Sequence, residues 1–182
     1  AKNLGGTKLD SANSVAVDSS GNVYTAGYFT GTGDFDPGSG TANLTALGAN
    51  VRSVFVSKLD SSGDLVWAKS FGGGGGDIGY SVAVDSSGNV YTTGNFNSTG
   101  DFDPGAGTVE LTSNGVEDVF VSKLDSSGNY VWAKSFGGTN SDYGDSVAVD
   151  SSGNVYTAGY FTGTGDFDPG AGTTNLTSSG GV

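Results

Sequence analysis

The phrase SVAVDSSGNVYT stands word for word at residues 14–25, 81–92 and 146–157, and its surroundings repeat with it. No other feature limits the fold as tightly. A segment recurring at a period of 67 and then 65 residues is one supersecondary unit, and such a unit buries its apolar surface mainly against its own copies. The chain divides accordingly into residues 1–67, 68–132 and an incomplete 133–182. The difference in spacing falls in GANVRS at 48–53, which is shorter in the second copy. Length variation confined to one place marks an exposed loop.

Each segment reads as strands joined by turns. In the second, 81–85 alternates as a strand, DSSGN at 85–89 turns, and 90–96 runs back. A long excursion over 97–118 holds GDFDPGAG and a short strand predicted at 108–112. Strand 119–124, a second DSSGN turn at 125–129 and strand 130–136 close the unit, giving two hairpins linked by a long loop. In DSSGN the Asp accepts bonds from the amides ahead of it, and the Gly supplies the positive φ of a tight hairpin. Copies begin at Asp18, Asp60, Asp85, Asp125 and Asp150, the second reading DSSGD.

The faces of these strands select the architecture. Phe55 and Leu59 lie on one side of 54–59, Val54 and Val56 on the other; Leu65, Trp67 and Phe71 share a face opposed by Val66 and Ala68. Sheets apolar on both faces need cover on both. An all-β fold of tandem four-stranded antiparallel blades, stacked as in a β-propeller, meets that need. A β-solenoid, with turns of about 20–30 residues and few hairpins, fits the long two-hairpin unit poorly.

Composition decides between order and disorder. The 34 glycines suit tight turns, while 10 Phe, 8 Tyr and 2 Trp spaced among Val and Leu supply a core. A formal charge of −12 repels nucleic-acid phosphate and anionic membrane, attracts cations and favours solubility. Cys, Met and His are all absent, which removes disulfides, thiolate metal sites and imidazole chemistry. No apolar run is long enough to span a bilayer, and no signal peptide is visible. The sequence opens at Ala1 inside what the later copies show to be a strand, so it reads as an excerpt or a processed product.

GDSVAVDSSGNVYTAGYF at 144–161, with VFVSKLDSSGNYVWAKSFGG at 119–138, resembles the bacterial β-propeller repeat family of SBBP type. The resemblance covers essentially the whole chain. It implies four-stranded blades in a ring and, because related copies occur in secreted and surface proteins, a bacterial extracellular or cell-surface location. It implies no activity. Propellers close with about four to eight blades, more than the two and most of a third present here. The expected partners are therefore further copies of the repeat, in a longer chain or a homo-oligomer, with glycans or surface proteins as possible contacts. Nucleic acid and membrane insertion are not expected.

The leading chemical candidate is GDFDPG, which places carboxylates at Asp34 and Asp36, Asp101 and Asp103, and Asp166 and Asp168. Two carboxylates two residues apart before a Gly turn can offer oxygens to Ca²⁺. The third acid and distal Glu of a D-x-D-x-D-G loop are missing. The alternative is structural: Phe35 anchors the loop, Pro37 and Gly38 turn it, and the Asp side chains bond loop amides. FGGGGGDIGY at 71–80 reads as a blade-to-blade linker. N-x-T triplets at Asn43, Asn97 and Asn175, and Tyr28, Tyr80 and Tyr160 as sugar-stacking rings, sketch a carbohydrate reading. A carboxylate glycosidase would need an odd-one-out loop, since a catalytic site is normally built once from unlike residues; no such loop is visible. Two readings follow: a non-catalytic scaffold whose loops bind calcium or offer multivalent contacts, and a structural polymer in which blades or strands complete one another between subunits.

Overall fold

The computed structural model describes residues 3–48 and 50–180. Ala1, where the sequence predicts a strand tail, and Ala49, in the variable 48–53 loop, lie outside the described residues. In chain order the strands are β1 (Gly5–Gly6), β2 (Asp10–Val17), β3 (Val23–Thr30), β4 (Thr32–Asp34), β5 (Asn43–Thr45), β6 (Arg52–Leu59) and β7 (Leu65–Gly73). The second copy gives β8 (Ile78–Val84), β9 (Val90–Phe96), β10 (Thr99–Asp101), β11 (Glu110–Thr112), β12 (Asp118–Leu124) and β13 (Tyr130–Gly138). The third gives β14 (Tyr143–Val149), β15 (Val155–Tyr160), β16 (Thr164–Asp166) and β17 (Asn175–Thr177).

The fold is all-β, with antiparallel blades in the order β2-β3-β6-β7 and β8-β9-β12-β13. A third blade is represented by the β14–β15 hairpin. DSSGN, or DSSGD at 60–64, makes each hairpin turn within the blades as its chemistry dictates. At the first, Asp18 Oδ1 accepts from the amides of Ser20 (2.9 Å) and Asn22 (3.0 Å), Asp18 Oδ2 accepts from the Tyr24 hydroxyl (3.0 Å), and Gly21 sits at φ 81°.

The long excursion does more than connect. Its two short strands form a hairpin that reaches back to the preceding blade. There β10 pairs with the last two residues of β7, Gly100 facing Gly73 and Asp101 facing Gly72. The same clasp joins β16 to β13 and β4 to β1. A Cβ on Gly73 would stand 2.3 Å from the Thr99 carbonyl oxygen, so the close backbone approach requires glycine there.

The core lies between blades. Tyr24, Val54, Val56, Trp67 and Phe71 of the first blade pack with Val82, Val90, Phe96 and Phe120 of the second, all buried. On the opposite face of β6, Phe55 packs with Phe29 and Phe35. The two-faced pattern holds for β6 and β12 and lapses on the outer strands, where Val66 is 51 % exposed and Val131 44 %. Successive inner strands are stitched directly. The amide of Val82 donates to Ser14 Oγ (3.1 Å), and that of Val147 to Ser81 Oγ (3.2 Å).

Candidate functional sites at the blade joints

In each GDFDPG loop the first carboxylate lies at the end of the clasp strand and the second in the turn that follows. Asp34 Oδ1 accepts from the amides of Asp36 (3.0 Å) and Ala42 (2.8 Å), while Asp36 Oδ1 accepts from Gly38 (2.7 Å). Asp101 and Asp103 do the same with Asp103, Val109 and Gly105, as do Asp166 and Asp168 with Asp168, Thr174 and Gly170. The amide of Ala42, then that of Asp36, holds the Asp34 carboxyl below its ordinary range; the amides of Asp168 and Thr174 do so for Asp166. The second oxygens of Asp36, Asp103 and Asp168 lie where a Cβ on Gly40, Gly107 or Gly172 would come within 2.1–2.2 Å. Each loop is thus locked by its own carboxylates. Among the described residues, no three His, Cys, Asp or Glu groups gather as a metal site.

Between the two carboxylates stands the anchoring phenylalanine. Phe102 is fully buried, with ring centroids 5.5 Å from Phe71, 5.2 Å from Phe96 and 5.2 Å from Phe120. It wedges between the outer strand of one blade and the sheet of the next. Phe35 meets Phe29 and Phe55 in the same way, and Phe167 meets Phe136 and Phe161.

The joints hold a second set of acids that sequence reasoning did not single out. Asp77 and Asp142 are fully buried at the start of the second and third blades, with Asp10 in the equivalent place of the first. Asp77 Oδ2 accepts from the Gly73 amide (2.5 Å) and Oδ1 from the Asn97 amide (3.3 Å), pinning linker to clasp. Asp142 bonds Gly138 (2.6 Å) and Thr162 (3.3 Å) likewise. Burial pushes the Asp77 carboxyl up to about 6, against the pull of the two amides. The available signal was GG-x-x-x-D, present at 5–10, 72–77 and 137–142. Asp118, also buried, is raised by burial, and the neighbouring Asp142 charge adds to the shift.

The three tyrosines named for sugar stacking do not share one environment. Tyr28 lies beneath the Arg52 guanidinium (5.0 Å to its centroid), Tyr80 is half-buried, and Tyr160 stacks on Tyr143 at 4.7 Å. Of the N-x-T asparagines, Asn97 donates to the Gly75 carbonyl (2.8 Å), while Asn43 and Asn175 are exposed on β5 and β17.

An apolar groove of about 280 Å³ borders the third blade, lined by Val119, Phe136, Tyr143, Tyr160, Phe161 and Phe167. In the second blade the corresponding edge of β9 is paired with β12, the first strand of the β12–β13 hairpin. Among the described residues, β15 pairs with β14 alone.

Comparison with known proteins matches a β-propeller repeat to residues 4–36, 66–103 and 131–168. The last two matches run from an outer strand across the linker to the following GDFDPG loop, which is the joint described above. An uncharacterized WD repeat-containing protein of Acanthamoeba polyphaga mimivirus is 29 % identical over 118 residues, covering 57 % of this chain and 8 % of that protein. Regulatory protein FlaEY of Caulobacter vibrioides is 30 % identical over 106 residues, covering 58 % of this chain and 11 % of that protein. The chain therefore spans about a tenth of the length of these curated relatives.

Proposed function

The chain belongs to the β-propeller repeat family, and from that premise we propose that it serves as a non-catalytic scaffold of blades, displayed by a bacterium outside the cell or on its surface. Counted by sequence period, residues 1–67, 68–132 and 133–182 are its successive repeats, with each boundary falling inside an outer strand, β7 or β13. Its carboxylate pairs recur nearly unchanged in every copy and are occupied with loop amides, which suits repeated structure better than a single reaction centre. The relatives' names speak of WD repeats in one case and regulation in the other, and those words stay with those proteins.

The observation that carries the reading is the unpaired edge of β15, among the described residues, beside the Phe167 groove. A hairpin of the β12–β13 kind fits it in register and chemistry, because that hairpin pairs with the equivalent edge, that of β9, one blade earlier. The partner is therefore another copy of this repeat, later in the same polypeptide or on a second chain; glycans and surface proteins would meet the assembled scaffold. Supplied within one polypeptide, the hairpin extends the array; supplied between chains, it produces a filament or sheath.

Size-exclusion chromatography with light scattering separates these cases. The chain as it stands is expected to self-associate with rising concentration. Extended by a further copy of residues 118–136, it is expected to melt higher and remain monomeric. Equal association by both forms would refute hairpin completion.

Calcium is the cation we propose for the GDFDPG loops, through the oxygens of Asp34 and Asp36 and their copies not turned onto amides. Two carboxylates per loop form a small ligand set, so binding is expected to be weak. Thermal unfolding with millimolar Ca²⁺ or with EDTA tests it. A calcium-dependent rise in midpoint, reduced in Asp103→Asn and lost when Asp36 and Asp168 are replaced by Asn as well, supports binding; identical midpoints and no calorimetric heat dismiss it.

A further inference from the structure

Near-identical repeats make their differences informative. The end of the blades carrying the DSSGN turns is almost invariant. At the opposite end the copies diverge in charge: Lys8, Gly75 and Asn140; Asn13, Tyr80 and Asp145; Arg52 and Glu117; Ser53 and Asp118. Elsewhere the charge changes are Glu110 in a clasp and Asp64 in a turn. Two differences at the divergent end are coupled. In the first blade Tyr28 carries Arg52 above its ring at 5.0 Å. In the second, the equivalent pair is Asn95 and Glu117, with Asn95 Nδ2 donating to Glu117 Oε1 at 2.8 Å. Partner and charge have changed together, so each arrangement is built.

These two opposite charges line one cleft of about 410 Å³ between the first and second blades, together with Thr30, Asn97, Gly75 and Gly76. Its linker wall is unusual. Where the other copies read Thr-Lys-Leu and Thr-Asn-Ser, residues 74–76 are all glycine. A Cβ on Gly74 or Gly76 would meet nothing within 4 Å, so open space replaces the missing side chains. One on Gly75 would collide with Asn97 Oδ1 at 1.4 Å, so Asn97 takes the vacated place on the cleft wall. Both charges are held by neutral groups. Glu117 accepts from Asn95 and from the Tyr143 hydroxyl of the third blade, and Arg52 rests on a tyrosine ring.

We infer that this cleft binds a small zwitterion, of amino-acid to dipeptide size, with its carboxylate toward Arg52 and its ammonium toward Glu117. The volume is in the range of small-molecule sites. An Arg fork suits a carboxylate, and a carboxylate already oriented by two neutral donors retains lone pairs for an ammonium. A neutral sugar would use the amides and hydroxyls but would leave both charges uncompensated. A singly charged ligand would satisfy one wall only. The inference goes beyond the scaffold role, since it names a ligand for one joint that the other joint, with its different linker, would not share.

Titration of the whole chain with alanyl-alanine, followed by calorimetry and by the amide NMR shifts of Gly74, Gly76 and Asn97, tests it. Binding is expected with a dissociation constant on the order of millimolar or below. N-acetylation or C-amidation of the dipeptide should each weaken binding at least about tenfold, as should Arg52→Gln or Glu117→Gln in the protein. Blocking the ligand leaves the fold untouched, so that arm stands even if a variant misfolds. Undiminished binding of both blocked dipeptides, no binding at all, or binding of a neutral oligosaccharide in its place would overturn the proposal.

Discussion

At the residue scale the carboxylates divide into two kinds by environment. Asp34 is half-buried and its carboxylate is stabilised by loop amides; Asp77 is fully buried, and loss of solvent outweighs its two amide bonds. Their linkage to stability has opposite signs. Asp34, depressed in the fold, contributes above its unfolded value, and the contribution is lost as pH falls. Asp77 rises from 3.8 to about 6, so its contribution is complete below the unfolded value and lost as pH rises through the folded one. That shift corresponds to about 3 kcal/mol between the two limits. Urea denaturation of the wild type and Asp77→Asn at pH 4, 5, 6 and 7 is expected to show the difference in stability between them changing across this window. A constant difference would show that Asp77 does not titrate there.

At the scale of elements, the clasp is what makes separate blades cohere. Phe102 fills the space between β7, β9 and β12, whereas Phe167 sits in the same loop position beside an open groove. Phe102→Ala leaves a cavity on all sides and is expected to cost about 3–5 kcal/mol in denaturant unfolding. Phe167→Ala should cost less than half as much, because that ring lacks the covering hairpin. Equal losses would mean that the wedge contributes no more than the loop's own closure. The sequence made the DSSGN turns legible, since Asp and Gly act on their immediate neighbours. It also gave the strands at 90–96, 119–124 and 130–136 to within a residue or two. The clasp was not legible: β10 is three residues long and finds its partner a blade away through two glycines. Periodicity carries no trace of a pairing that short and that distant.

At the scale of the whole molecule, a charge of −12 lies over a fold whose apolar surface is buried mainly at joints. Repulsion between copies opposes association through the Phe167 groove, so added salt should promote assembly by screening it. Light scattering at about 20 mM and 500 mM NaCl is expected to show larger species at the higher salt. The reverse order would place ion pairs, not the apolar face, at the contact.

Repetition, two-faced strands and DSSGN chemistry determined by themselves that this chain folds as stacked four-stranded blades, because each acts through near neighbours or through a pattern carried by every copy. The GDFDPG acids were equally visible, but their occupation by loop amides was decided by the loop's closure in three dimensions. Only tertiary structure brought Gly73 to Thr99, Asp77 to Asn97, and Arg52 and Glu117 to one cleft. Those groups are far apart in sequence or lie on different blades, and what each can do depends on the solvent and partners it meets once the blades are stacked.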